Sequence, residues 1–232
     1  VLLDIVFKLN DLVLKMLEVL MKIAPLGIFC LIAKTFSSQG IDSILELLKY
    51  FIGVVIVLFI HLFVVYLPLV KLIAKVNIIN FFSGLKQALL FAFSTSSSSA
   101  TIPITLNNLE KSFNVKKKVS SFTVPLGATI NMDGTAIMQG MATIFIANFY
   151  GIELIFTDFL TIILTAALAS IGTAGVPGVG MIMLGMVLNQ VGLPLEGIAI
   201  VMGVDRLLDM LRTSLNVAGD ATVTLLINKL EK

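Results

Sequence analysis

From Val119 to Asp205 the chain runs without a single Lys or Arg. A water-exposed surface of that length carries cations, because Lys and Arg are mostly exposed residues. The stretch therefore belongs where water is scarce. Composition agrees: of 232 residues, 58% are hydrophobic and only 13% charged. Runs of about 18 or more apolar residues read as membrane spans. Phe51–Val70 is such a run, with His61 as its only residue that titrates near neutral pH. The expected fold class is all-α integral membrane. A net charge of +2 gives no reason to expect nucleic acid. The lone Cys30 excludes an intrachain disulfide and offers no metal cluster. No signal peptide with a cleavage site is present. The chain opens at Val1 already inside a helical pattern, so the expectation is a fragment lacking its N-terminal part.

Residues 1–22 carry Asp4, Lys8, Asp11, Lys15, Glu18 and Lys22, each acid four before a Lys. That is the favourable orientation for helical ion pairs and reads as a solvated or headgroup-level face. Pro25 and Gly27 mark a kink, and Ser37–Gly40 a loop. Ile44–Leu69 is a long span ending in Lys71 and Lys75. Phe81–Leu109 is apolar to Phe93, then breaks at Ser94–Thr101 with Pro103 close behind. Each half is too short to span about 30 Å, so the pair reads as a re-entrant hairpin with a hydroxyl-rich tip. Ser120–Tyr150 is a span interrupted at Asn131–Thr135. Phe156–Val191 is broken by the Gly-rich run Ser170–Gly180, which a regular helix interior tolerates poorly. It reads as a second re-entrant hairpin. The last helix is Gly197–Lys229. The order hairpin, broken span, hairpin, span points to an inverted-repeat secondary transporter with its site at the midplane.

The last helix carries the chemistry. Asp205, Asp209, Arg212, Asn216 and Asp220 are spaced 4, 3, 4 and 4. At 100° per residue they fall within an arc of roughly 80° on an otherwise apolar helix. Ionisable residues at membrane depth usually face a cavity or a pathway. Asp209 suits an ammonium. Hydroxyls and free N–H groups at Ser97–Ser99 suit a carboxylate, and the planar fork of Arg212 suits a second one. An ammonium and two carboxylates describe aspartate or glutamate. Asp133 and Asp220, with Asn131, Asn216 and loose carbonyls, suit a hard cation such as sodium. The competing reading of the stripe is an internal ion-pair network that only stabilises packing. His61 reads as a packed or interface residue, and among the ten Met only Met132 is a site candidate.

With hairpin 1 and the C-terminus placed inside, twelve lysines are cytoplasmic, only Lys34 and Lys49 are outside, and Arg206 and Arg212 are intramembrane. The positive-inside rule favours that orientation.

Asn131-Met132-Asp133-Gly134-Thr135, Ser96–Ser99, Gly172-Thr173-Ala174-Gly175-Val176-Pro177-Gly178 and Asp209-Met210-Leu211-Arg212-Thr213 with Asn216 and Asp220 closely resemble the dicarboxylate/amino acid:cation symporter family. The resemblance covers essentially the whole chain. It implies eight membrane helices and two re-entrant hairpins in a homotrimer. Here it implies a scaffold helix (residues 1–37, helix 5) and a transport domain (38–232) holding helix 6, hairpin 1, helix 7, hairpin 2 and helix 8, with helices 1–4 absent. By resemblance, Ser97, Ser98, Thr135, Asp209, Arg212, Thr213 and Asn216 hold substrate, with backbone from Val176 and Gly180. Sodium ions are the coupling ions, with no organic cofactor. One sodium site uses Gly127, Asn131, Asn216 and Asp220. A second uses Thr129, Ser170, Ile171 and Thr173. A third uses Asn131 and Asp133. Hairpin 2 is the extracellular gate of an elevator-type carrier.

The sequence departs from the family at a few positions. Gln139 replaces the Glu of potassium-coupled relatives. Met138 stands where relatives often have Tyr, and neither Ser96 nor Met210 is the extra Arg that many relatives carry. Arg206 lies one turn before Met210. Asp220, an Asn in proton-coupled bacterial relatives, favours sodium. The expected function is therefore sodium-coupled symport of acidic amino acids in a cell inner membrane, not enzymatic. Nearer alternatives are a proton-coupled glutamate carrier or a C4-dicarboxylate carrier. More distant ones are an ion channel and an intramembrane serine hydrolase using His61. The hydrolase reading lacks a G-x-S-x-G elbow and an acidic neighbour for His61 on its own span.

Overall fold

The computed structural model describes residues 42–231 without interruption, together with single helical positions between Lys8 and Ala33. The ion-pair ladder expected on residues 1–22, the kink at Pro25 and the loop at Ser37–Gly40 lie wholly or partly outside the described residues. The chain divides into two compact units, Val1–Glu46 and Leu47–Lys232.

All regular structure among the described residues is helical. Helix α1 (Asp42–His61) continues through two π-helical turns, Leu62–Tyr66 and Leu69–Ile73. Then come α2 (Ile78–Thr95), α3 (Ser98–Phe113), α4 (Lys117–Ile130), α5 (Asp133–Phe149), α6 (Phe156–Ser170), α7 (Val179–Gln190) and α8 (Gly197–Leu230). At 1.5 Å per residue, the 34 residues of α8 reach about 50 Å. Both π turns, α2, α3, α4, α5 and α7 pack against it.

The elements form two matched groups around α8. Helices α2 and α3 fold back on each other, and α3 lies on α4. Helices α6 and α7 do the same, and both lie on α5. Helices α4 and α5 are the two halves of one interrupted element, separated only by Asn131 and Met132. The interruption is narrower than expected: Asp133, Gly134 and Thr135 already belong to α5. The break in the first hairpin is narrower too. Only Ser96 and Ser97 leave the helix, where the polar run had suggested Ser94–Thr101. Serine hydroxyls can bond back to the helix itself. Ser94 donates to the Leu90 carbonyl and Thr95 to the Phe91 carbonyl, each at 2.8 Å, so these hydroxyls are satisfied within the helix.

The main buried apolar cluster runs from Leu47 on α1 to Leu225 on α8, with smaller ones around Ile162 and Val187 and around Ala88 and Val217. The outer surface is apolar as well. Leu72, Ile163, Leu168 and Ile182 are each more than 60% exposed, a pattern that marks contact with lipid or another apolar surface. Leu45–Ile73 and Ile78–Thr95 are long and apolar enough to cross a membrane. At the other end of hairpin 1, the Lys116 backbone N–H donates to Asn228 Oδ1 at 3.1 Å. The lysine-rich loop before α4 and the C-terminal end of α8 thus share one end of the molecule.

Candidate functional site

The site forms where the three breaks meet the polar stripe of α8. Ser97 caps α3 with its side chain, accepting from the Ala100 N–H at 3.1 Å. The same hydroxyl donates to the Gly175 carbonyl at 2.7 Å, and the Ser99 N–H donates to that carbonyl at 3.2 Å. The two hairpin tips are thereby tied together. Hairpin 2 is also tied to the interrupted element, through the Gly172 N–H and the Thr129 carbonyl at 2.8 Å.

The ionic centre lies beneath the tips. Arg212 is 1% exposed, and its Nη1 donates to Asp205 Oδ1 at 2.7 Å. Its Nε and Nη2 reach Asp209 Oδ1 at 3.2 and 3.1 Å. The other oxygen of Asp209 accepts the Gly178 N–H at 3.1 Å. Gly178 is the N-cap of α7 and has no side chain to offer, so the carboxylate from α8 supplies the missing acceptor at a helix end that favours negative charge. A guanidinium shared by two carboxylates, one of which also caps a neighbouring helix, is a compact set of groups that a charged ligand can re-partner.

Packing of this centre requires Gly134. A Cβ there would lie 2.8 Å from the Arg212 Cβ and 2.9 Å from the Arg212 carbonyl oxygen. The bare backbone lets α5 approach α8 so closely that the Gly134 N–H reaches Asn216 Oδ1 at 2.8 Å.

Of the residues expected to hold substrate, Ser98, Thr135, Val176, Gly180, Asp209, Arg212, Thr213 and Asn216 line one cavity. Ser97 does not; its hydroxyl joins the tips instead. Ser96, Met132, Thr173, Ala174 and Gly175 complete the lining. Ser96 is 2% exposed, and its hydroxyl has no hydrogen-bond partner among the described residues. The serine run signalled the loop, but which hydroxyl points inward depends on the left-handed turn at Ser96, with φ of 52°. The cavity is about 20 Å³, room for a water-sized guest. A four-carbon amino acid enters only if a wall moves. A larger crevice of about 150 Å³ lies among α1, α2 and α8. Its one polar side chain, Ser214, already donates to the Leu89 carbonyl at 3.0 Å, so it offers nothing to orient a charged molecule.

The expected cation ligands fall into three places. Asn131, Asn216 and Asp220 come together: Asn131 Nδ2 donates to Asp220 Oδ1 at 3.0 Å and to the Asn216 carbonyl at 3.3 Å. Gly127 joins them, accepting the Asn131 N–H at 2.8 Å. Ser170, Ile171 and Thr173 open the break in hairpin 2, beside Thr129. Asp133 points elsewhere, to Tyr66 and His61. Among the described residues, no group of three or more His, Cys, Asp or Glu converges on a metal-sized point. The donors are carboxylate, amide and carbonyl oxygens, which suit a hard cation.

Two residues escaped the sequence reading. Asp205 was visible in the stripe but was given no role, and it is the closest partner of Arg212. His61 has an acidic partner after all, brought by α5. No serine of the Ser96–Ser99 run bonds to it among the described residues. Gln139 is fully buried, and neither end of its amide has a partner among the described residues.

Comparison with known proteins fits this geometry. The model of the sodium:dicarboxylate symporter family matches residues 1–230, and the chain belongs to that family. It is 44% identical over 215 residues to excitatory amino acid transporter 1 of Bos taurus, covering 92% of this chain and 40% of that protein. It is 44% identical over 216 residues to an excitatory amino acid transporter of Caenorhabditis elegans, with 92% and 43% covered. Against excitatory amino acid transporter 2 of Homo sapiens it is 41% identical over 216 residues, with 92% and 38% covered. The chain thus spans about two fifths of the length of the curated relatives it matches.

Proposed function

We propose that this chain forms the substrate- and ion-binding part of a sodium-coupled symporter for acidic amino acids. The observation that carries the reading is the Asp205–Arg212–Asp209 cluster directly under two hairpin tips. Arg212 takes the side-chain carboxylate of the substrate, a bidentate match. Asp209 takes the ammonium, exchanging the Gly178 N–H for it. The α-carboxylate meets hydroxyls and N–H groups at Ser98 and the start of α3, where a helix N-terminus favours an anion. Asp209 argues against a C4-dicarboxylate, which has no ammonium to pair with it.

Sodium is a co-substrate in this reading. Gly127, Asn131, Asn216 and Asp220 hold one ion. Thr129 with Ser170, Ile171 and Thr173 holds a second at the break of hairpin 2, and Asn131 with Asp133 contributes to a third. Both hairpins are re-entrant, hairpin 2 is the gate, and residues 38–232 move as an elevator against a scaffold that includes residues 1–37. The trimer, the bacterial inner membrane and the cytoplasmic placement of the lysine-rich end belong to the same proposal. Lys116 beside Asn228 supports that placement, because it puts both basic segments at one end.

The test is aspartate binding to the purified protein, with glutamate, serine and succinate as competitors, with and without sodium. Sodium-dependent aspartate binding that Arg212→Ala abolishes, or shifts toward serine, is the expected result. Aspartate affinity unchanged in Arg212→Ala would sink the substrate assignment. Binding that ignores sodium would move the coupling to protons.

A further inference from the structure

His61 and Tyr66 lie on α1 and its first π turn, outside every set of ligands assigned above. Both point at one oxygen. The Tyr66 hydroxyl donates to Asp133 Oδ2 at 2.7 Å, and His61 Nε2 lies 3.0 Å from the same atom. Asp133 Oδ1 makes no hydrogen bond among the described residues. The carboxylate is thus fixed through one oxygen and left with the other to offer. The two rings hold each other as well, edge to face, with centroids 4.8 Å apart and planes at 81°.

This arrangement depends on the π turn. His61 and Tyr66 are five residues apart. In a regular α-helix at 3.6 residues per turn, that separation places two side chains about 140° apart. An i→i+5 turn brings residues five apart onto the same face. The segment Leu62–Tyr66 forms such a turn, immediately after His61. Isolated π turns are rare and recur at functional sites. Tyr66 is 3% exposed. A Cβ at Gly219 would collide with both its hydroxyl and the Asn131 side-chain amide. The phenol is therefore wedged between Asp133 and the Asn131–Asp220 pair.

We propose that His61 and Tyr66 are positioning residues for Asp133, and that the π turn exists to aim them at one carboxylate oxygen so that the other faces the cation. The proposal rests on the sodium-coupled reading above. Residues that orient a ligating group are worth about 10–100-fold in ion affinity. A purely structural role, stapling α1 to α5, would lower stability without a specific effect on sodium.

The experiment uses two readouts on the purified protein: the sodium concentration that half-saturates thermal stabilisation, and the one that half-saturates aspartate binding. Tyr66→Phe keeps the ring and loses the donor. His61→Leu loses its donor, whereas His61→Gln retains an N–H at similar reach. Tyr66→Phe and His61→Leu are expected to raise both sodium midpoints about 10-fold, and His61→Gln is expected to restore most of the loss. In an Asp133→Ala background, Tyr66→Phe is expected to add nothing, because its effect passes through the carboxylate. Unchanged sodium midpoints in Tyr66→Phe, which conserves shape, and in His61→Leu would overturn the proposal. So would a full additional effect of Tyr66→Phe on top of Asp133→Ala. In both of those cases the unsubstituted protein still responds to sodium. If it does not respond, the coupled-symport reading fails first and the proposal falls with it.

Discussion

The two hairpin tips do the same geometric job with different means. Hairpin 1 turns in two residues, Ser96 and Ser97, and holds itself: Ser97 caps its own helix. Hairpin 2 turns over Ile171–Gly178, with Gly172 at φ +80° and Gly178 at φ +81°. Its anchors come largely from elsewhere. Thr129 binds Gly172, Ser97 and Ser99 bind Gly175, and Asp209 binds Gly178. A loop held by external partners lets go when a partner is exchanged, whereas a self-capped turn does not. The difference is what the proposed gating role of hairpin 2 would require. Because Asp209 is both an anchor of hairpin 2 and the acceptor proposed for an ammonium, ligand arrival and the position of the proposed gate would share one carboxylate.

The comparison can be broken at several points. Asp209→Asn removes the charge that holds hairpin 2 and leaves hairpin 1 untouched. Depriving the ligand's ammonium of its buried charged partner costs roughly 3 kcal/mol of binding, about 100-fold in aspartate affinity by titration. Limited proteolysis should also cut more readily within 171–178, with no change around 94–99. Equal sensitivity at both tips would erase the distinction.

Gly175→Ala strikes the contact between the tips. The added Cβ would lie 2.7 Å from Ser99 Oγ and 2.9 Å from the Ser99 nitrogen. Overpacking of this kind costs about 2 kcal/mol of stability, so the melting temperature should fall, and aspartate affinity should fall with the displaced tips. Native affinity would mean that the tips need not touch.

Gly178→Ala meets no atom within 4 Å and is penalised only by its positive φ. The expected loss is about 1 kcal/mol of stability, seen as a lower melting temperature with aspartate affinity reduced less than in Gly175→Ala. Ser97→Ala removes a cap worth about 1 kcal/mol or slightly less. Hydrogen exchange should rise in the first turn of α3, and only weakly in 171–178, because the Ser99 N–H still holds Gly175. Strong exchange at 171–178 in Ser97→Ala would show that hairpin 1 governs the gate.

Much of this was legible in the residues. The stripe on α8 could be read because helical periodicity is local, and Asp209, Arg212, Thr213 and Asn216 do line the cavity together. The positions of the three breaks were legible because Gly, Pro and Ser act on their own backbone. Their widths were not. Ser94 bonds back to the preceding turn and Asp133 across to His61 and Tyr66, and serine or aspartate permits a helical or a non-helical backbone alike. Ser96, to which no role was given, lines the cavity, and Ser97 does not. The left-handed turn between the hairpin's helices sends one hydroxyl to Gly175 and buries the other beside the cavity.

By itself, the sequence determined a helical, membrane-embedded chain, the order of its broken elements and the face of α8 that carries charge. Each of these follows from composition or from spacing within one segment. The tertiary structure alone decided the partners. It set Asp205 on Arg212, Asp209 on Gly178 and His61 with Tyr66 on Asp133. The last pairing joins residues 72 and 67 positions apart. It turns on a π turn whose Leu, Phe, Val and Tyr carry no sign of it in their propensities. Asp205 and Arg212 share α8, but the contacts of Asp209 with Gly178 and of His61 and Tyr66 with Asp133 arise only when separate helices pack together, and packing is something a linear pattern of residues does not encode.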